Sequence, residues 1–567
     1  MSGGRAKILL AVFIFLILAI ILRLSYWQVI QGEKLIAEAE SQYLMERQMP
    51  ASRGLIYASD GFPIVSRRYV YLVYADPKNI DKTPDEASDK LSKIVGQDPK
   101  EAEKIKMDLK KKLESKNLAW VPLFKNVSGE EKEKIEGLKI KGLGFEQEEI
   151  RDYPESSMSA QLLGFVGKDS TGQNRGYYGV EGFYDRELSG EPGMLRLEKD
   201  AQGIPIPIGQ KVEREGVPGR NLTLFLNRGV QFMAEGKLKE GMTKYGAVAG
   251  SVVIMDPYSG AIIASVSYPN YDPANYSQQD KSLFPNPVVA RTFEPGSIFK
   301  ILVASAAINE KAIGLDDQCD KCSGPRTIGG YTIRTWNDKY YPGSTVTEII
   351  QHSDNVGMVS VAERLGKEKL YEYLGRFGIG RPTGVDLEEE SIAPLRPLNQ
   401  WGQIDLATVS FGQGVAVTPM QMVVAVSAIA NGGKVLEPHV VKKITASDRE
   451  IEVKPKVIGR VLSETTTKIM TEIMVNAVEK GEAKWAKPKG YRIAGKTGTA
   501  QIPIAGHYDN EKTIASFVGF APADQPRFVM LVTLQEPTSS PWGSETAAPL
   551  WFDIAKEIFK LWGISPS

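Results

Sequence analysis

Apolar and polar positions divide the chain into three textures. Residues 8–22 are apolar without interruption. Arg23 follows, then Tyr26 and Trp27, which suit a membrane interface. With Arg23 snorkelling, about 20 residues can be embedded, enough for one helical span. Bulky Ile21, Leu22 and Leu24 stand where a cleavable leader needs small residues, so an uncleaved anchor over 8–30 is expected. Arg5 and Lys7 before it place a short tail, 1–7, in the cytoplasm and the rest of the chain outside.

Residues 31–215 read as a mixed, rather polar module. Residues 33–45 have helical character, and 53–57 and 69–73 read as strands with Asp60-Gly61 turning between them. Residues 99–141, rich in Lys and Glu, predict two exposed helices whose charges form a solvated face. A Gly- and Pro-dense stretch, 190–219, marks a boundary. From residue 220 to 567 the chain is more apolar. Residues 222–226 form a strand and 228–244 a helix. Residues 249–256 and 261–266 form a hairpin through Pro257-Tyr258-Ser259-Gly260. Residues 513–520 and 527–534 form a second strand pair, and 547–561 a closing amphipathic helix. Strands at both ends with helices between predict an antiparallel sheet flanked by helices, in an α+β multidomain chain.

Composition removes several function classes. The 567 residues carry 69 basic and 69 acidic side chains, which argues against a nucleic-acid-binding field. Two cysteines and three histidines leave little material for a metal site, and no cofactor motif is present. Cys319-Asp320-Lys321-Cys322 admits a local disulfide outside the cell, reduced thiols, or half of a zinc site. His352, His439 and His507 show no ligand spacing.

The candidate chemistry centres on Glu294-Pro295-Gly296-Ser297-Ile298-Phe299-Lys300. Pro-Gly ends what precedes and lets a helix begin. Ser297 and Lys300, three apart, then share a face, and a desolvated lysine can serve as base to the serine hydroxyl. Two further motifs follow in order, Ser353-Asp354-Asn355 and Lys496-Thr497-Gly498, the second running on into Thr499. A Lys-Thr-Gly triplet is expected by chance only about 0.2 times in this length, so the ordered set carries weight. Together they read as acyl transfer. Ser297 attacks a carbonyl and Lys300 takes its proton. Ser353 relays a proton to the leaving amine, and Asn355 binds lysine and substrate amide. Lys496, Thr497 and Thr499 receive a carboxylate. Gly498 keeps a strand edge open to an extended substrate, and the backbone N–H groups of Ser297 and Thr499 face the oxyanion.

These motifs resemble those of penicillin-binding proteins and serine β-lactamases. Arg53-Gly54-x-Ile56-Tyr57, Arg151-x-Tyr153-Pro154, the run 179–185, Met255-Asp256-Pro257, Gly412-Gln413-Gly414 and Thr418-Pro419-x-Gln421 resemble class B penicillin-binding proteins. The runs 517–522 and 547–549 resemble the division-type branch. Tyr57-Ala58-Ser59-Asp60-Gly61 departs from the family's usual turn at that point.

The resemblance implies a peptidoglycan D,D-transpeptidase that cross-links stem peptides at D-Ala-D-Ala during septal wall synthesis. It implies acylation of Ser297 by β-lactams and a non-catalytic pedestal over 31–215. It also implies a polytopic membrane glycan polymerase and other division proteins as partners. The motifs alone also admit a D,D-carboxypeptidase or a β-lactamase, though a β-lactamase needs neither anchor nor pedestal. A third reading is a β-lactam sensor or a non-catalytic division scaffold; a sensor would require a larger cytoplasmic part.

Overall fold

A computed structural model describes residues 3–96, 98–118, 120–198, 212–504 and 507–566. Within them the chain forms two compact units, one of residues 1–53 with 189–219, the other of 54–188 with 220–567.

The first unit begins with a helix over Gly3–Ser25 that continues as a π-helical turn, Tyr26–Ile30. This span, Gly3–Ile30, is long and apolar enough to cross a membrane, and none of it is buried. Arg23 lies 5.2 Å from the Trp27 ring and 5.9 Å from the Tyr26 ring, so its guanidinium is held against two aromatic rings near the end of the span. A helix, Gly32–Tyr43, follows, and the strand Leu44–Met49 pairs antiparallel with Gly193–Glu198, which pairs in turn with Val212–Arg214.

The second unit holds residues from both sides of the sequence boundary near 215–220. Ile56–Tyr57 pairs antiparallel with Pro63–Ala75 and parallel with Asn221–Leu224, so one sheet takes strands from both regions. Residues 99–141 do contain two helices, Pro99–Leu113 and Gly129–Gly137, but a strand, Val121–Val127, lies between them and pairs with Pro63–Ala75. Its alternating Val121, Leu123 and Val127 are buried, a period of two that the surrounding charge concealed. The Arg151 and Glu181 side chains meet in a buried ion pair, with Nε donating to Oε1 at 2.8 Å and Nη2 lying 2.7 Å from the same oxygen.

A separate sheet has five strands: β1 (Ala249–Met255), β2 (Ile262–Tyr268), β3 (Ala494–Ile504), β4 (His507–Ala521) and β5 (Phe528–Gln535). Their order is β2-β1-β5-β4-β3, antiparallel throughout, with β3 at an edge. The central strand is apolar on both faces because both are covered. Phe528, Met530, Val532 and Leu534 pack with residues of the helices Arg228–Tyr245 and Ala547–Leu561; Val529 and Leu531 pack with those of Lys300–Asn309 and Pro419–Ala430. The predicted antiparallel sheet between helices is thus present, with its hairpin, second strand pair and closing helix at the expected positions. Cys319 and Cys322 are joined by a disulfide, the first of the three sequence alternatives.

Candidate active site

Ser297 lies in a 3₁₀ turn, Gly296–Phe299, that runs directly into the helix Lys300–Asn309. Two neighbours clamp this turn. The Gly296 N–H donates to Gly412 O at 3.0 Å, and Gly414 N–H donates to Glu294 Oε1 at 3.0 Å. Gly412 has φ +81°, and a Cβ there would stand 2.1 Å from Gly296 O, so only glycine fits. Gly498 on β3 is the second close approach. A Cβ there would meet Ser516 Oγ at 2.4 Å and Ile298 Cγ2 at 2.8 Å. Its lack of a side chain therefore lets the serine-bearing turn lie against the sheet, a different reason from the open strand edge expected from sequence.

Lys300 is wholly buried. Its Nζ donates to Ser353 O at 2.6 Å, to Asn355 Oδ1 at 2.8 Å and to Ser353 Oγ at 3.2 Å. None of these reaches Ser297, although the helical spacing suggested a direct contact. A buried amine needs partners for its N–H groups, and the Ser353–Asn355 segment offers three acceptors within reach. Lys496, also buried, donates to the same Ser353 Oγ at 3.1 Å, and to Thr497 O and Oγ1, both at 3.1 Å. One hydroxyl therefore stands between two lysine amines. Ser353 holds it there with φ +55°, a left-handed conformation uncommon for serine. Asp354, nearly fully buried, caps the helix Asn355–Leu365 by accepting from Gly357 N–H at 3.1 Å. Asn355 Nδ2 donates to Arg334 O at 3.0 Å, so its carbonyl is held toward Lys300.

Electrostatics follow from this packing. Burial, and then the Lys496 charge, push the Lys300 amine well below the usual lysine range; Asp354 and Glu482 oppose. Burial pushes Lys496 down to about 8, with Glu482 opposing. A buried lysine with a second cation beside it is a ready proton acceptor.

The cleft above these groups is lined by Gly296, Ser297, Ser353, Asn355, Thr497, Gly498 and Thr499, and thus gathers all three sequence motifs. Thr499 Oγ1 accepts from Gly543 N–H at 3.0 Å, which leaves its own proton free to donate. Five further lining residues escaped the sequence reading as site residues: Trp336, Phe411, Gln413, Glu482 and Trp542. Gln413 lies inside a motif noted for another reason. Trp336 and Trp542 sit in loops and meet edge to face at 4.9 Å; a lone aromatic in a polar loop was their only signal. Glu482, between a helix end and β3, gave none. His352 stacks on Tyr341 at 4.0 Å beside the site.

A serine at a helix start, in one cleft with a second serine that bridges two buried lysines, fits one class: active-serine acyl-transfer enzymes. Residues 250–560 match the penicillin-binding protein transpeptidase domain, and 48–224 the penicillin-binding protein dimerisation domain. The chain belongs to the penicillin-binding protein transpeptidase family. It is 34% identical over 566 residues to stage V sporulation protein D of Bacillus subtilis, covering 99% of this chain and 85% of that protein. It is 30% identical over 561 residues to the peptidoglycan D,D-transpeptidase FtsI of Escherichia coli K12, covering 98% and 91%. A crystal structure of penicillin-binding protein 3 from Mycobacterium tuberculosis, complexed with aztreonam, superposes with a TM-score of 0.70 at 25% identity, over 92% of this chain and 98% of that one.

Proposed function

We propose that this protein is a peptidoglycan D,D-transpeptidase of septal wall synthesis, working through an acyl-enzyme on Ser297. The observation that carries the reading is the single Ser353 hydroxyl contacted by both buried lysine amines in the cleft that holds Ser297. Ser297 Oγ attacks the carbonyl between the two D-alanines of a donor stem peptide. Its proton passes to Lys300, whose amine is held neutral by burial and by Lys496. Ser353 returns a proton to the departing D-alanine amine as the acyl bond to Ser297 forms. Asn355 orients Lys300 and the substrate amide. Lys496, Thr497 and Thr499 receive the terminal carboxylate, and the Ser297 and Thr499 N–H groups hold the oxyanion. An acceptor stem-peptide amine then displaces Ser297. A β-lactam, with a strained amide and a carboxylate, follows the first half and stops there.

The apolar span fits a single-pass membrane anchor, with Arg5 and Lys7 favouring a cytoplasmic N-terminus. The partner this arrangement suits is a polytopic membrane glycan polymerase that supplies strands for cross-linking, among other division proteins. A second reading, a sporulation-stage role, is favoured by the similarity to stage V sporulation protein D. A deletion that blocks sporulation and spares vegetative septation would select it.

Intact mass of the detergent-solubilised chain after exposure to benzylpenicillin tests the chemistry. A single stable adduct, absent in Ser297→Ala, is expected. Rapid drug turnover without an adduct would move the assignment to a hydrolase, and folded protein with neither would leave a scaffold.

A further inference from the structure

Glu482 is an acidic side chain lining the active-site cleft that nothing in the acyl-transfer scheme uses. Its placement is built. The helix Glu464–Lys480 is tied to the Val346–Gln351 helix by Asn476 Nδ2 donating to Gln351 Oε1 at 2.9 Å. Gly481 N–H donates to Ala477 O at 3.2 Å and ends the first helix there, delivering the next residue into the cleft. Trp336 lines the same cleft, and its indole N–H donates to His352 O at 3.4 Å. Ser353, which lines the same cleft, carries the hydroxyl shared by the two buried lysine amines, so a cation on Lys496 stands in a water-poor site.

We propose that Glu482 is a positioning residue: its carboxylate is the counter-charge that keeps Lys496 cationic for the substrate carboxylate and sets the pH range over which Ser297 is acylated. The inference rests on the active-serine reading above.

The charged groups around it act consistently. Burial raises the Glu482 carboxyl, and Lys496, Lys300 and His352 pull it back, in that order. Lys300 in turn faces Lys496, Asp354 and Glu482, while Lys496 faces Glu482. On its own segment Lys480 and Lys484 are exposed to solvent. Removing the carboxylate takes away an attraction that raises both lysines. Lys496 then loses its proton at lower pH, and Lys300 becomes a neutral base at lower pH. Both limbs of the acylation profile move the same way, toward acid. Damage to packing would instead lower the profile without moving it.

The test measures second-order acylation by a fluorescent penicillin from pH 5.5 to 9.5 on the full-length wild type, Glu482→Gln and Glu482→Asp. Thermal melting checks that each variant is folded. The expected result is a profile for Glu482→Gln displaced toward acid by about one pH unit, with roughly tenfold slower acylation near pH 9. Glu482→Asp should recover the wild-type position. A Glu482→Gln profile that superimposes on wild type overturns the inference, as does a uniform fall with both limbs in place. A wild type that takes no label at Ser297 sinks the underlying active-serine reading, and the inference with it.

Discussion

At the scale of single residues, the site is built against its own stability. Lys300 and Lys496 are both buried, and Ser353 is held in a left-handed conformation of the kind that costs about 1–3 kcal/mol. The sign of the lysine contribution is definite. Lys496 is lowered from 10.5 to about 8, so between those values the unfolded chain binds more protons than the folded one. Folding stability from this group therefore rises as pH climbs from about 8 toward 10.5, and the full cost is present below 8. Lys496→Met keeps the aliphatic stem and removes the charge. It is expected to melt no lower than wild type at pH 7, and to lack the extra rise of wild-type stability between pH 8 and 10. It is also expected to acylate with benzylpenicillin at least about 100-fold more slowly, since the carboxylate loses its cation and the neighbouring Lys300 loses a charge that keeps it neutral. Calorimetry across pH, beside a gel-based acylation rate, checks both. The same two lysines set the wild-type pH profile: acylation by a carboxylate-bearing β-lactam should decline above about pH 8 as Lys496 deprotonates.

At the scale of elements, the reactive serine is positioned by glycines on two other segments. Gly412 and Gly296 meet backbone to backbone, so no side chain can move aside to admit a Cβ. Gly412→Ala should lower stability by about 1–3 kcal/mol and slow acylation at least tenfold. Gly330→Ala, with φ +85° but open space around it, should cost about 1 kcal/mol and leave acylation unchanged. Equal acylation in the two variants would remove the clamp from the account. Much of this element-level picture is readable in the sequence. Pro295-Gly296 announces the helix start, and the lead-in Tyr491-Arg492-Ile493-Ala494 fits a strand edge that carries Lys496. Elements with weak local signal are harder. Val121–Val127 is short and flanked by lysine-rich helices, so its buried alternation is outweighed by charge. The direction of the Lys300 amine is not local at all. It depends on acceptors more than fifty residues away, which only the folded chain brings within 3.2 Å. Glu482 is legible only in the same way.

At the scale of the whole molecule, the functional boundary and the cooperative boundary differ. The family's dimerisation and transpeptidase domains meet in sequence near residues 224–250. Residues 54–188 nonetheless belong to one compact unit with 220–567, and a single sheet runs through Ile56–Tyr57, Asn221–Leu224 and Val441–Thr445. The Arg151–Glu181 pair lies in that unit, with side-chain exposures of 5% and 0%. Removing one partner of such a pair strands a charge away from water, at a cost of about 3–5 kcal/mol. Glu181→Leu should therefore weaken the entire unit. In urea, intrinsic fluorescence and loss of β-lactam labelling at Ser297 should move together to a lower midpoint. The acylation rate of the protein still folded should match wild type, because neither residue lines the cleft. Replacing both, with Arg151→Met beside Glu181→Leu, removes the stranded charge and should recover much of the lost stability. If labelling instead persists through a first transition seen only by fluorescence, residues 54–188 unfold independently of the catalytic sheet. The shared strands would then join the two regions without coupling their stability.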